Sequence, residues 1–372
     1  MTDTAQIIEQ ASELSSLLEN RDPTRVRGAL HKQRKGPREL ALLLSPGADA
    51  LLEEIAKTAR RITLARFGRT VQLYAPIYLS SYCRGSCPYC GFRADRKANR
   101  RSLTTSEVLT EASLVVSSGM RHILLVCGDA PRRMGTDFLL EVIRELKEIT
   151  PSISVEVAPL DEESYRSLAT AGVDGVTLYQ ETYDPKLYAT YHAQGPKADY
   201  GFRLDALDRA GAAGIPKLVI GALWGLAPWR LEALRLGLHA DYLQRKHWKS
   251  HVSFGLPRLH QVPPDFEIPH PLDDRSLVHL IVAMRVFLED AGLILSTRES
   301  PKLREQLVPL GITQMSAGSK TEPGGYGTPG SSTDQFEVAD HRSPGDVACA
   351  LQKIGYDPVF KDWDRTIGGF HD

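Results

Sequence analysis

Cysteine is scarce in this chain: five residues among 372, three of them inside one short loop. That distribution excludes a disulfide framework, which needs paired cysteines spread along the sequence. An excess of either charge is missing too. The 45 Lys and Arg against 46 Asp and Glu leave a formal net charge of −1, so the composition points to neither nucleic acid nor an anionic membrane. No apolar run reaches the roughly 18 residues of a membrane-crossing helix. No internal repeat or low-complexity tract is present. The N-terminal stretch MTDTAQIIEQASELSSLLEN is acidic and helical in pattern, unlike a signal peptide. The expectation is a cytoplasmic protein, long enough to bury a substantial core.

The first 70 residues read as helices, with a break at Ser45-Pro46-Gly47 and a further helix from Leu51 to about Arg66. From residue 71 short apolar runs alternate with amphipathic stretches. The runs cover 71–78, 122–126, 153–157, 175–179, 217–222, 251–255, 293–297 and 312–316. Helical patterns between them cover a stretch opened by a capping box from Thr104 to Glu107, then 135–149, 161–171, 202–213, 228–245, 273–291 and 301–310. Strands that alternate with helices imply a parallel sheet. Eight of them over about 250 residues predict a TIM-type (β/α)8 barrel; an open doubly wound sheet with a separate C-terminal piece is the alternative. The expected organisation is an N-terminal helical region (1–70), the α/β barrel (71–320) and a C-terminal extension (321–372). That extension starts Gly/Pro-rich, Thr321-Glu-Pro-Gly-Gly-Tyr-Gly-Thr-Pro-Gly330, and holds a last helix near 343–354.

The loop after the first strand reads Cys83-Arg-Gly-Ser-Cys87-Pro-Tyr-Cys90. Three thiolates in a C-x3-C-x2-C spacing can hold three irons of a [4Fe–4S] cluster. The fourth iron then lacks a protein ligand and is open to a cofactor, as S-adenosylmethionine requires through its amino and carboxylate groups. A structural zinc loop is the alternative, but zinc wants four ligands and the next candidate, Cys127, lies far along the chain. Cys127 and Cys349 read as small buried or incidental residues.

Chemistry in such a barrel gathers at the carboxyl ends of the strands, and the unusual residues fall there. Gly128 and Asp129 follow strand two and suit the methionine ammonium, the glycine by letting backbone come close. Glu156 ends strand three. Glu181 follows strand four and suits a ribose diol; the alternative is a barrel-mouth carboxylate paired with a base. Gly221 ends strand five. Arg298 follows strand seven and offers a planar fork for a substrate carboxylate; the alternative is an ion pair with Glu299 or Glu156. Tyr78 points either into the barrel mouth or into the core.

Together these motifs make the chain similar to the radical S-adenosylmethionine superfamily, with Tyr89 before the last cysteine as part of the signature. The stretches IYLSSYCRGSCPYCGF (77–92), LYQETY (178–183), GALWGL (221–226), STRESP (296–301), SAGSKTEPGGY (316–326) and KDWD (361–364) resemble its aromatic amino acid lyases. The nearest resemblance is to those that cleave tyrosine for thiamine biosynthesis. The resemblance implies cluster ligation by Cys83, Cys87 and Cys90, and reductive cleavage of S-adenosylmethionine to methionine and a deoxyadenosyl radical. It implies scission of the Cα–Cβ bond of L-tyrosine to 2-iminoacetate and p-cresol. Arg298 would bind the substrate carboxylate, with Tyr78 and Ser316 lining the same pocket. Thiazole synthase as the recipient of the imine and a flavodoxin or ferredoxin as reductant are implied partners. The tryptophan lyases share fold, cluster loop and anchor, and remain the alternative. The tyrosine lyases of hydrogenase maturation carry a second cluster on C-terminal cysteines, which this chain lacks. Sulfur-insertion enzymes need inner-strand cysteines that are likewise missing. The Gly-rich stretch 322–332 is expected to cover the barrel mouth.

Overall fold

The computed structural model describes residues 3–360; the KDWD motif lies outside them. Four helices precede the first strand: α1 (Asp3–Glu13), α2 (Pro23–His31), α3 (Pro37–Leu44) and α4 (Leu52–Phe67). Local chemistry sets their ends. Asp22 caps α2 by accepting from the Thr24 amide at 2.8 Å, and Pro23 sits at the first helical position, where its missing N–H removes no bond.

The alternating part follows the expected order. It runs β1 (Thr70–Ser80), α5 (Thr105–Ser117), β2 (His122–Cys127), α6 (Thr136–Leu146), β3 (Ser152–Glu156), α7 (Glu162–Ala171) and β4 (Gly175–Glu181). Helices α8 (Pro185–Tyr191), α9 (Tyr200–Leu204) and α10 (Ala206–Ala212) lead to β5 (Lys217–Ala222). The second half is α11 (Trp229–Lys246), β6 (His251–Gly255), α12 (Asp274–Phe287), β7 (Gly292–Leu295), α13 (Pro301–Leu307) and β8 (Gln314–Ser316). Every neighbouring pair is parallel, and β1 pairs with both β2 and β8. The sheet is therefore closed, and the open doubly wound alternative is excluded. The capping box is formed: Glu107 accepts from the Thr104 amide at 2.8 Å while Thr104 accepts from the Glu107 amide at 3.3 Å. The single helix expected over 202–213 is two pieces, because Asp205 leaves helical geometry (φ −85°, ψ 3°).

The N-terminal helices pack on the outer ring, α1 and α3 against α11, α3 and α4 against α12. The C-terminal segment holds α14 (Pro344–Lys353) and a short strand, β9 (Asp357–Val359), that the sequence reading did not foresee. β9 pairs in parallel with Thr70–Gln72, the start of β1, at the floor of the barrel. At the opposite end, Asp340 and Arg304 form a fully buried ion pair, and Arg304 also donates to the Ser316 carbonyl. The Gly/Pro-rich stretch is fastened along the barrel wall. Buried Glu111 on α5 accepts from the amides of Tyr326 (2.9 Å) and Gly327 (2.7 Å), and the Tyr326 hydroxyl donates to the Pro76 carbonyl at 2.9 Å.

Replacing Glu111 by Ala leaves two amides without their carboxylate and is expected to cost about 2–3 kcal/mol. Limited proteolysis should then cut within 322–332 faster than in the wild type; an unchanged cleavage pattern would show that other contacts hold the stretch.

Candidate active site

The cysteine loop leaves β1 at Ser80, where the β1–β2 register slips between Tyr78 and Ser80. Backbone bonds pin it on two sides. The Arg84 amide donates to the Asp129 carbonyl at 3.0 Å, and the Ala94 amide to the Gly85 carbonyl at 2.7 Å. The Gly85 amide donates to Cys83 Sγ at 3.3 Å and the Phe92 amide to Cys90 Sγ at 3.4 Å, the type of bond that tunes bound thiolates. A Cβ placed on Gly85 would lie 3.5 Å from both Cys83 Sγ and Cys87 Sγ, so these two sulfurs flank one point. Around a single zinc ion, with bonds of about 2.3 Å, thiolates would crowd to within about 4 Å of each other. Among the described residues no three His, Cys, Asp or Glu groups gather for one ion. Only three cysteines share the loop, one ligand short of the four that a structural zinc site takes. Burial raises all three thiols, Cys90 to about 12, so loading with a cationic core must release protons.

The three cysteines face a cavity at the carboxyl end of the barrel, lined also by Tyr78, Tyr89, Gly128, Asp129, Glu156, Glu181, Arg298 and Ser316. Of the residues singled out in the sequence, only Gly221 stays outside its lining. A Cβ on Gly221 would come within 2.5 Å of the Tyr179 ring, and one on Gly255 within 2.4 Å. These glycines make room for Tyr179, whose ring crosses the barrel beneath the site. Tyr74, Leu124 and Tyr179 line both this cavity and a lower one of about 720 Å³, so they form the floor. Gly128 has a packing duty of its own: a Cβ there would meet the Tyr82 carbonyl at 2.4 Å.

Arg298 is the decisive side chain. Its guanidinium stacks at 3.5 Å on the Phe336 ring, and among the described residues no carboxylate pairs with it. Glu299, the expected alternative partner, is held by Arg258 at 3.0 Å and by His260 at 3.0 Å. Burial lowers the Arg298 pKa, yet guanidinium keeps its charge in proteins, so the cavity holds a cation that has no direct ion pair and feels only the longer-range pull of Glu156. Tyr78 faces the cavity, and its hydroxyl donates to Gln335 at 2.7 Å. Ser316 Oγ accepts from the Thr297 amide at 3.1 Å, in the turn that carries Arg298.

Glu181 has a left-handed backbone (φ 69°) at a register slip between β4 and β5, a strain that marks functional positions. Its Oε1 is paired with Lys197, and with Arg203 at 3.4 Å. Burial alone would lower the Lys197 ammonium, but Glu181, with Cys87 and Asp129 adding to it, turns the balance and the pKa rises. Among the described residues Glu156 is in no ion pair, and Arg298, Lys197 and Arg203 pull on it only from a longer range. Burial first and the charge of Glu181 second push its carboxyl up to about 7. His192 Nδ1 faces the Tyr188 carbonyl at 2.9 Å, so that nitrogen carries the proton and Nε2 accepts from the Tyr89 hydroxyl at 2.7 Å. Burial and nearby Lys197 push His192 down to about 2, which keeps it neutral.

Sequence reasoning missed Lys197, His192, Gln335 and Phe336. The first two sit in the irregular stretch between β4 and β5, with no strand end to mark them. Gln335 and Phe336 lie just past the Gly-rich stretch and, rather than residues 322–332, reach the cavity. Gly91 allows this, since a Cβ there would sit 2.2 Å from the Asp334 carbonyl.

Comparison with known proteins agrees with this geometry. Residues 77–233 match the Radical SAM superfamily and residues 255–357 the Biotin and Thiamin Synthesis associated domain. Fold and match together define a radical S-adenosylmethionine barrel. The chain is 40% identical over 331 residues to 2-iminoacetate synthase of Escherichia coli (strain K12), covering 89% of this chain and 88% of that one. It is 40% identical over 348 residues to 2-iminoacetate synthase of Salmonella typhimurium, covering 93% and 92%. Among solved structures it is similar to the FeFe-hydrogenase maturase HydG from Carboxydothermus hydrogenoformans, with a TM-score of 0.89, 32% identity and coverage of 97% and 86%. The chain belongs to the 2-iminoacetate synthase family.

The raised pKa of Glu156 has a consequence for stability. The folded protein keeps a proton that the unfolded chain releases near 4.5, so this contribution is full below 4.5 and is lost as pH rises through about 7. Glu156→Gln should therefore gain on the wild type above that range by up to about 3 kcal/mol, less where cavity water screens the charge. Urea unfolding at both ends of the range measures it; an equal difference at both ends would mean that Glu156 ionises normally.

Proposed function

We propose that this protein is a carbon–carbon lyase that cleaves the Cα–Cβ bond of L-tyrosine to 2-iminoacetate and p-cresol, for the thiazole part of thiamine. The observation that carries the reading is Arg298: a half-buried side chain with no carboxylate in an ion pair with it among the described residues, stacked on Phe336 and facing the same cavity as the three cysteines. A cation in that position is expected to take the carboxylate of an amino acid. The family relationship narrows that amino acid to tyrosine.

In this reading Cys83, Cys87 and Cys90 hold a [4Fe–4S] cluster. Cluster and S-adenosylmethionine together supply a deoxyadenosyl radical able to take hydrogen from the substrate amino group. The chain's own residues do the rest. Asp129 and the Gly128 backbone receive the methionine ammonium, Glu181 and Glu156 the ribose, and Tyr89, fixed by His192, one wall of the nucleoside site. Arg298 sets the tyrosine carboxylate, Tyr78 and Ser316 border the substrate, and Tyr179 closes the floor. Gln335 and Phe336 border the cavity and would limit access of water, which matters for a radical and for an imine that hydrolyses readily. That lability favours direct transfer to thiazole synthase, and the cluster requires a flavodoxin-type or ferredoxin-type donor in a reducing cytoplasm. The division at residues 70 and 320 is our proposed domain organisation.

The test is an anaerobic assay of reconstituted, reduced protein with S-adenosylmethionine and either tyrosine or tryptophan. Tyrosine should yield p-cresol, glyoxylate from the hydrolysed imine, and 5′-deoxyadenosine. Deoxyadenosine without p-cresol, or an indole product from tryptophan, would move the substrate assignment. Arg298→Ala should lower kcat/KM for tyrosine by at least about 100-fold, corresponding to about 2.7 kcal/mol, while the cluster absorbance stays; loss of that absorbance would make Arg298 a structural residue.

A further inference from the structure

We propose that the cavity below Tyr179 is a second binding site, one for a phenol, and takes up the p-cresol that the reaction releases above it; the inference rests on the proposed cleavage of tyrosine. The cavity measures about 720 Å³ and lies among the starts of the strands, where a barrel of this type is usually filled by layers of bulky branched side chains. Residues two apart along a strand face the same way, and several inward positions are small here. Gly175, Thr177 and Tyr179 alternate along β4. Ser154 on β3 stands opposite Gly175, and Ser253 on β6 opposite Gly292 on β7. The two glycines leave their space to these serines: a Cβ on Gly175 would lie 2.6 Å from Ser154 Oγ, and one on Gly292 2.3 Å from Ser253 Oγ.

The walls have two characters. Tyr74, Leu124, Tyr179, Val219 and Ile294 are aromatic or apolar. Among them stand four buried polar side chains, His122, Ser154, Thr177 and Ser253. Gln314 Nε2 donates to His122 Nδ1 at 3.3 Å, so His122 Nε2 carries the imidazole proton and donates to Ser154 Oγ at 2.9 Å. The Ser154 hydroxyl proton is left for a ligand. Thr177 and Ser253 have no side-chain hydrogen bond among the described residues. Among those residues no carboxylate and no guanidinium lines the cavity, and its ammonium, Lys217, lies under the pull of Asp174. The cavity therefore lacks the charges that would hold an amino acid at both ends. An aromatic body with one hydroxyl matches these walls: the ring meets aromatic and apolar side chains, and the hydroxyl gives buried polar groups the partner they want. p-Cresol has that form, and it is made one layer of side chains away, since Tyr74, Leu124 and Tyr179 line both cavities. The Tyr179 hydroxyl has no hydrogen bond among the described residues, so turning that ring aside breaks none.

The experiment is equilibrium dialysis of p-cresol against the reconstituted, unreduced holoprotein, which does not turn over, with and without saturating S-adenosylmethionine and tyrosine. Tyrosine should displace p-cresol from the upper cavity and leave the lower site filled. Toluene, which lacks the hydroxyl, should bind the lower site about tenfold more weakly. Thr177→Val/Ser253→Ala removes two hydroxyls and little volume; it should weaken p-cresol there by about tenfold and leave toluene within about twofold. Thr177→Leu, which fills the cavity, should exclude both molecules; if that variant does not fold, the hydroxyl deletions decide. Complete displacement of p-cresol by tyrosine, or toluene bound as tightly as p-cresol, would overturn the proposal. If tyrosine displaces nothing while the hydroxyl deletions still weaken p-cresol, the reading of the upper site falls and the lower site stands.

Discussion

Strand β1 hydrogen-bonds to three partners at once, β9 at its start, β8 in its middle and β2 towards its end, and most of the molecule depends on it. Its bonds to β2 and β8 close the barrel. Its floor end gives the C-terminal segment a parallel partner, and its mouth end delivers the cysteine loop. An eleven-residue strand can do this because it starts before both neighbours and runs past the end of β8 to the end of β2. Every backbone group it places in a ladder is one that burial would otherwise leave unsatisfied.

At the mouth the structure is organised by charge compensation. Acid and base there are largely matched: Glu181 with Lys197 and Arg203, Glu299 with Arg258 and His260, Asp340 with Arg304. Against that background an unmatched Arg298 and a Glu156 held near neutrality stand out. A charge drawn away from water without an ion-pair partner is costly, which sets Arg298 apart from the matched groups around it. The matched groups surround the unmatched ones and hold their backbone in place. Arg304, donating to the Ser316 carbonyl, fixes the end of β8 beside the turn that presents Arg298.

Beneath the site the barrel is closed by shape. The Tyr179 ring needs the space that Gly221 and Gly255 leave open on the two following strands. This makes Gly221, singled out in sequence only as the end of strand five, and Gly255 part of the floor. The lower cavity is lined by polar residues such as His122, Ser154 and His251, so in this barrel the usual layered packing gives way below Tyr179.

By itself the sequence determined the alternating order of strands and helices, the cysteine loop and the polarity of the strand ends. These are local signals: apolar periodicity, capping residues and ligand spacing are written within a few residues of each other. It also showed that nearly every unusual residue belongs to one end of the barrel. Tertiary structure alone decided which of those residues are free to act. Whether Arg298 pairs with its neighbour Glu299 turns on Arg258, forty residues away in the chain, and whether Glu181 stands alone turns on Lys197 in an irregular connection. β9 and the reach of Gln335 and Phe336 into the cavity were invisible for the same reason. Short segments without periodicity take their conformation from the surface they land on, and that surface exists only once the barrel has closed.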